Sequence, residues 1–140
     1  MAINSAQLKL FLAALATGSD PMGLIVVKGD AKKFELPNSG MKWICVSSDD
    51  SFVDALERAA AGNSWLRIDM VRPDVSGPEH TALRSLVATR HFDVVQSDGS
   101  VSNVRFPNGK AVVVVIPEHL LDSVTIPNFL NLFGPVLREE

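Results

Sequence analysis

The sequence contains no tyrosine and one cysteine, and only 6% of its residues are aromatic. Without tyrosine the chain lacks a common general acid and a common ligand-orienting hydroxyl. A lone cysteine excludes an intrachain disulfide and a thiolate zinc site, so the fold must rest on its core. Cys45 stands in the apolar run Trp43-Ile44-Cys45-Val46, where it reads as a small buried hydrophobe rather than a nucleophile. Cations are scarce as well. Thirteen Lys and Arg against 16 Asp and Glu give a net charge of −3, whereas neutralising several phosphates requires clustered positive charge. Lys28, Lys32 and Lys33 form one small cluster and Arg72, Arg84 and Arg90 a second candidate surface, but nucleic acid is not an expected partner. No apolar run approaches the ~20 residues of a membrane-spanning helix. Lys9 interrupts the N-terminal apolar stretch, and no small-residue cleavage pattern follows it, so a signal peptide is not expected. A soluble, cytoplasmic protein without a membrane partner is the expectation.

What is present is a core. Of 140 residues, 46% are hydrophobic and 21% charged, enough for one real hydrophobic interior and too short for two. Leu8, Phe11, Leu12 and Leu15 recur at the spacing of one helix face within residues 4–16, with Asn4 or Ser5 to cap the start and Gly18 to stop it. Gly23-Leu24-Ile25-Val26-Val27 is a continuous run rich in β-branched residues, suited to a strand covered on both faces. A short strand around Phe34-Glu35-Leu36 and another from Met41 to Val46 follow. A helix over about residues 50–61, with Phe52, Val53, Leu56, Ala59 and Ala60 inward, precedes a strand from Trp65 to Val71. Strand, helix and strand in about thirty residues predict a parallel pair with a crossover.

A second helix runs from Pro78 to about Thr89. Asp98-Gly99, set between Phe92-Asp93-Val94-Val95 and the stretch from Val101 to Phe106, is a hairpin signal. Ala111 to Ile116 is the most apolar strand and belongs at the centre of a sheet. A helical turn or two from Pro117 and a further one over Pro127 to Phe133 complete the reading. The expected fold is α/β (or α+β). Residues 1–140 make a single compact domain whose mixed β-sheet has five to seven strands, with a βαβ unit, one antiparallel hairpin and four to five short helices.

Few residues carry chemistry in a recognisable pattern. Pro-Glu-His occurs twice, at Pro78-Glu79-His80 and Pro117-Glu118-His119, and with His91 these hold every histidine. Imidazole with carboxylate suits zinc, iron or manganese, which makes His80 a candidate. Proline followed by an acidic residue is equally the signature of a helix start. Adjacent Glu and His also point about 100° apart on a helix, so one such pair does not chelate an ion together. No metal and no cofactor are expected. Asp69 ends a strand, and in open α/β sheets ligands bind at the carboxyl ends of strands. With Asp49 and Asp50, at the end of the preceding strand, it makes a candidate acidic cluster for Mg²⁺ or a polar ligand. The alternative has Asp49 and Asp50 capping the next helix and Asp69 paired with Arg67, Arg72 or solvent.

Leu66-Arg67-Ile68-Asp69, followed by a helix, a hairpin and Val112 to Ile116, resembles in element order the later half of an AAA+ ATPase core, over about residues 65–133. That resemblance implies an Asp69 that polarises water through magnesium. After the first strand, however, stands Lys28-Gly29-Asp30-Ala31-Lys32-Lys33. No glycine-rich loop leads there to Gly-Lys-Thr or Gly-Lys-Ser, so the main-chain nest for a β-phosphate is missing. No Gly-x-Ser-x-Gly elbow is present either.

The segment Ile126 to Leu137 concentrates apolar side chains, with only Arg138-Glu139-Glu140 after it. Phe129, Leu130, Leu132, Phe133, Val136 and Leu137 need more than one face to be buried. They are either a cap on the chain's own core or an interface. The sequence therefore points to a non-enzymatic interaction or assembly module, a homo-oligomer or the binder of a protein partner, using apolar surface that includes this segment. The alternatives are a small metal-dependent hydrolase and a degenerate nucleotide-binding domain. In those, Asp49, Asp50, Asp69 and His80 are the weak catalytic candidates.

Overall fold

A computed structural model of the chain describes residues 3–18, 20–37, 42–48, 52–71, 77–121 and 134–139. The first half runs α1 (Ser5–Thr17), β1 (Met22–Val27), a 3-10 turn (Ala31–Lys33), β2 (Lys42–Ser47), α2 (Val53–Ala61) and β3 (Ser64–Asp69). The second half runs α3 (Gly77–Thr89), β4 (His91–Val95), β5 (Val101–Arg105), β6 (Val112–Pro117), α4 (Glu118–Leu121) and β7 (Val136–Arg138). Five strands form a wholly parallel sheet in the order β2-β3-β6-β1-β7. The antiparallel β4–β5 hairpin is a sheet of its own rather than an extension of the large one.

The apolar runs explain the order. β1 and β6 are buried along their whole length and lie side by side, Met22 opposite Val112 and Val26 opposite Ile116. A strand buried on both faces must sit inside a sheet covered by helices on each side. On one face Leu24, Val26, Leu66, Ile68, Val112, Val114 and Ile116 meet Phe52, Leu56, Leu83, Leu86 and the hairpin's Phe92. On the other face Ile25, Val27, Trp65, Val113 and Val115 meet the stripe Leu8, Phe11, Leu12 and Leu15 of α1. Asn4 caps α1 in a reciprocal box: its Oδ1 accepts the Gln7 N–H at 2.8 Å and Gln7 Oε1 accepts the Asn4 N–H at 3.2 Å. Gly23 brings α1 close, because a Cβ there would lie 2.7 Å from Phe11 and 2.9 Å from Leu15.

Helix and hairpin are joined by Arg90, which ends α3 in the left-handed region (φ 62°). Its N–H donates to Leu86 O at 2.8 Å and its carbonyl accepts the Phe106 N–H at 2.7 Å. The Asp98-Gly99 turn takes the expected form, with Gly99 at φ 86°. Lys110 closes α2 from across the chain, its Nζ donating to the carbonyls of Ala59 and Gly62. No helix among the described residues is long and apolar enough to cross a membrane.

Two expectations are corrected, and one strand is added. Phe34 to Leu36 is not a strand: Phe34 and Leu36 pack against the α1-side core, and among the described residues no strand pairs with the segment. β7 was not anticipated, since three residues carry no periodicity, yet it pairs with β1. Cys45 is exposed, not buried. β2 is the outer strand of the sheet, and the described part of the β1–β2 connection supplies a short 3-10 turn rather than a crossover helix that would cover its face.

Candidate functional site at the carboxyl edge of the sheet

The carboxyl ends of β1, β3 and β6 converge where an α/β sheet binds its ligands. Arg67 and Asp69, two apart in β3, project from the same face of the strand, the face that carries Trp65. Both are buried, at 8% exposure each. Arg67 Nε donates to Asp69 Oδ1 at 2.7 Å, and Arg67 Nη2 donates to Ala31 O, also at 2.7 Å. One guanidinium thus neutralises the carboxylate at the end of β3 and ties it to the turn after β1. Ser48 fastens the exit of the same strand: its N–H donates to Asp69 O and its Oγ accepts the Val71 N–H, each at 2.9 Å.

The loop after β1 is closed in the same way. The first N–H beyond the strand, Lys28, donates to Glu139 Oε1 at 2.8 Å, and Glu139 N–H returns a bond to Val26 O at 2.8 Å. Asp30 caps the 3-10 turn through its own Oδ1 and the Lys32 N–H at 3.0 Å. Positions where main-chain N–H groups would hold a phosphate therefore face carboxylates of the chain itself. The adjoining cavity of about 220 Å³ is lined by Val27, Gly29, Asp30, Lys33, Phe34 and Glu139. Two acidic side chains against one lysine disfavour an anion there.

Known proteins add a fold and no more. No protein-family model and no curated protein matches the chain. NtrX from Brucella abortus, solved in complex with ATP, matches 100% of the chain with a TM-score of 0.60 and 11% identity. The chain spans 36% of that protein's length. The likeness is one of architecture.

The remaining candidates scatter. Asp49 and Asp50 lie outside the described residues, as do Phe129, Leu130, Leu132 and Phe133. His80 falls in the first turn of α3, His91 on the hairpin and His119 in α4. Both Pro-Glu-His copies thus sit at helix starts, and no group of three His, Cys, Asp or Glu gathers among the described residues. His91 Nδ1 lies 2.8 Å from Asn103 Oδ1, and Asn103 Nδ2 donates to Asp93 Oδ1 at 3.0 Å, a chain across the exposed face of the hairpin. Of the terminal apolar residues, Leu137 packs against the α1-side core while Val136 is 48% exposed.

A second concavity was not legible in the sequence. Lys32, Phe34, Leu36, Trp43, Cys45 and Arg67 line a groove of about 300 Å³ over the outer strand. Trp43 stacks edge-on against Trp65, with centroids 5.8 Å apart. Its buried Nε1 has no hydrogen-bond partner among the described residues, an uncommon state for an indole N–H. Burial of part of its side chain pushes the Cys45 thiol above its ordinary value, opposed by the nearby Arg67 charge.

Proposed function

We propose that this chain is a non-catalytic assembly module that self-associates through exposed apolar surface, including the C-terminal segment that ends in β7. The observation that carries the reading is the internal closure of the carboxyl edge. Asp69 is held by Arg67, and the Lys28 N–H is held by Glu139. These two groups, which would meet a metal or a phosphate, are spent on the fold. Apolar surface lies elsewhere, at Val136, at the hairpin's Val95 and Val101, and along β2.

The test is the molar mass in solution by light scattering across a hundredfold concentration range. Mass rising above 15.1 kDa supports the reading, and a monomer at every concentration ends it. A second reading, a degenerate nucleotide-binding domain of the AAA+ kind, draws on the sheet order and on the ATP bound to the structural neighbour. A flat titration with ATP and Mg²⁺ removes it; the metal-dependent hydrolase built on Asp49, Asp50, Asp69 and His80 falls if elemental analysis finds no bound metal and Mg²⁺, Mn²⁺ and Zn²⁺ give no thermal shift.

A further inference from the structure

On the side of β2 away from β3, no described strand pairs with the backbone of Trp43 and Cys45. Ser48 N–H donates to Asp69 O, so the even-numbered residues turn their main chain toward β3. By the alternation of a strand, Trp43 and Cys45 turn theirs toward the open edge. Natural sheets blunt such an edge with proline, a bulge, charges or a very short strand. β7, at the opposite edge, is three residues long and ends in Arg138. β2 is six residues long, Lys-Trp-Ile-Cys-Val-Ser, and its one charge stands at its start.

We propose that β2 pairs antiparallel with β2 of a second copy of this chain about a two-fold axis at Ile44, joining two five-stranded sheets into one. The inference rests on the assembly reading above and names its partner and register. An axis perpendicular to the sheet keeps each face continuous, so residues of like parity must oppose. With the axis at Ile44, Trp43 meets the partner's Cys45, Ile44 meets the partner's Ile44, and Lys42 meets the partner's Val46. Each of the two Trp43–Cys45 pairs exchanges both N–H···O bonds, because these are the residues whose main chain faces outward.

The strand is its own complement. Ile44 and Val46 already lean on the α2-side core, and the junction continues that layer. On the other face an indole covers an exposed thiol. The charge of β2 does not oppose a second copy. The two Lys42 ammonium groups lie four residues apart along the pair, roughly 13 Å at about 3.3 Å per residue, beyond the ~8–10 Å screening length. A strand pair of this length lies at the small end of specific interfaces, below about 1,200 Å², so association is reversible.

Two variants test it. Cys45→Pro removes an N–H that points out of the sheet and leaves the β2–β3 ladder its bonds. Cys45→Lys sets a charge on the exposed edge of each copy. Both are expected to weaken association at least tenfold by sedimentation equilibrium while far-ultraviolet circular dichroism stays native. In the unaltered protein, alkylation of Cys45 by iodoacetamide is expected to slow several-fold as concentration rises through the association range, which needs no variant to fold. Association that ignores both variants, with Cys45 reactivity independent of concentration, overturns this interface and leaves the assembly reading standing. A monomer at every concentration overturns both.

Discussion

Removing either partner of the Arg67–Asp69 pair should destabilise the fold far more than removing both. Each side chain is about one-tenth exposed, and the 2.7 Å ion pair supplies the carboxylate with its counter-charge. Asp69→Ala leaves a buried guanidinium whose remaining acceptor among the described residues is the Ala31 carbonyl. Arg67→Met leaves a buried carboxylate without a cation and strips Ala31 O of its donor. Breaking a buried pair from one side costs about 3–5 kcal/mol, because a charge stays behind without compensation. The double variant Arg67→Met/Asp69→Ala removes both charges, so it should cost well under either single change, with a coupling energy of at least about 3 kcal/mol. Equilibrium urea unfolding followed by circular dichroism reads these differences. In thermal melts each single variant should fall by roughly 10 °C or more. The reasoning fails if Asp69→Ala costs less than about 1 kcal/mol, within the range of an ordinary surface change. It fails as well if Asp69→Ala raises stability, the behaviour of a strained carboxylate kept for chemistry rather than for the fold.

Other consequences are local. Gly23→Ala should cost about 1–3 kcal/mol, since the new methyl lies 2.7 Å from the end of the Phe11 ring and 2.9 Å from a Leu15 methyl and overpacks the α1-side core; urea unfolding and near-ultraviolet circular dichroism report it. Lys110→Met keeps the aliphatic stem over Phe106 but withdraws the ammonium from the carbonyls of Ala59, Ala60 and Gly62. The loss should be about 1–3 kcal/mol, with faster hydrogen exchange in the last turn of α2. The Ser100 hydroxyl and N–H, 2.6 and 2.9 Å from Asp98 Oδ1, hold its carboxyl below the usual range. Because the folded value is the lower one, this contribution is complete above the ordinary carboxylate value of about 3.9 and is lost as pH falls through the folded value. Ser100 amide protection should follow that course, and Asp98→Asn should flatten it.

Local pattern carried much of the architecture. The α1 stripe, the unbroken apolar runs of β1 and β6 and the Asp98-Gly99 turn each declare themselves within a few residues, since helix and strand periods are properties of neighbours. Arg67 as a partner for Asp69 was legible for the same reason, the two being spaced to share a strand face. Contacts between distant residues were not. Glu139 reaches Lys28 across 111 positions, and nothing near either residue signals the other. β7 owes its existence to β1, more than a hundred residues earlier, rather than to its own three residues. Cys45 was misjudged because its run of apolar neighbours resembles that of a central strand. Whether a strand is inner or outer depends on strand order, which local sequence does not contain. The groove beside it lies over the same outer strand, where no crossover helix is found among the described residues between β1 and β2.

The most direct test is the molar mass across a hundredfold concentration range, measured with and without ATP and Mg²⁺. The account predicts a mass that climbs from 15.1 kDa toward a multiple of it, along the same curve in both conditions. A chain that stays at 15.1 kDa until nucleotide is added, and associates only then, contradicts it.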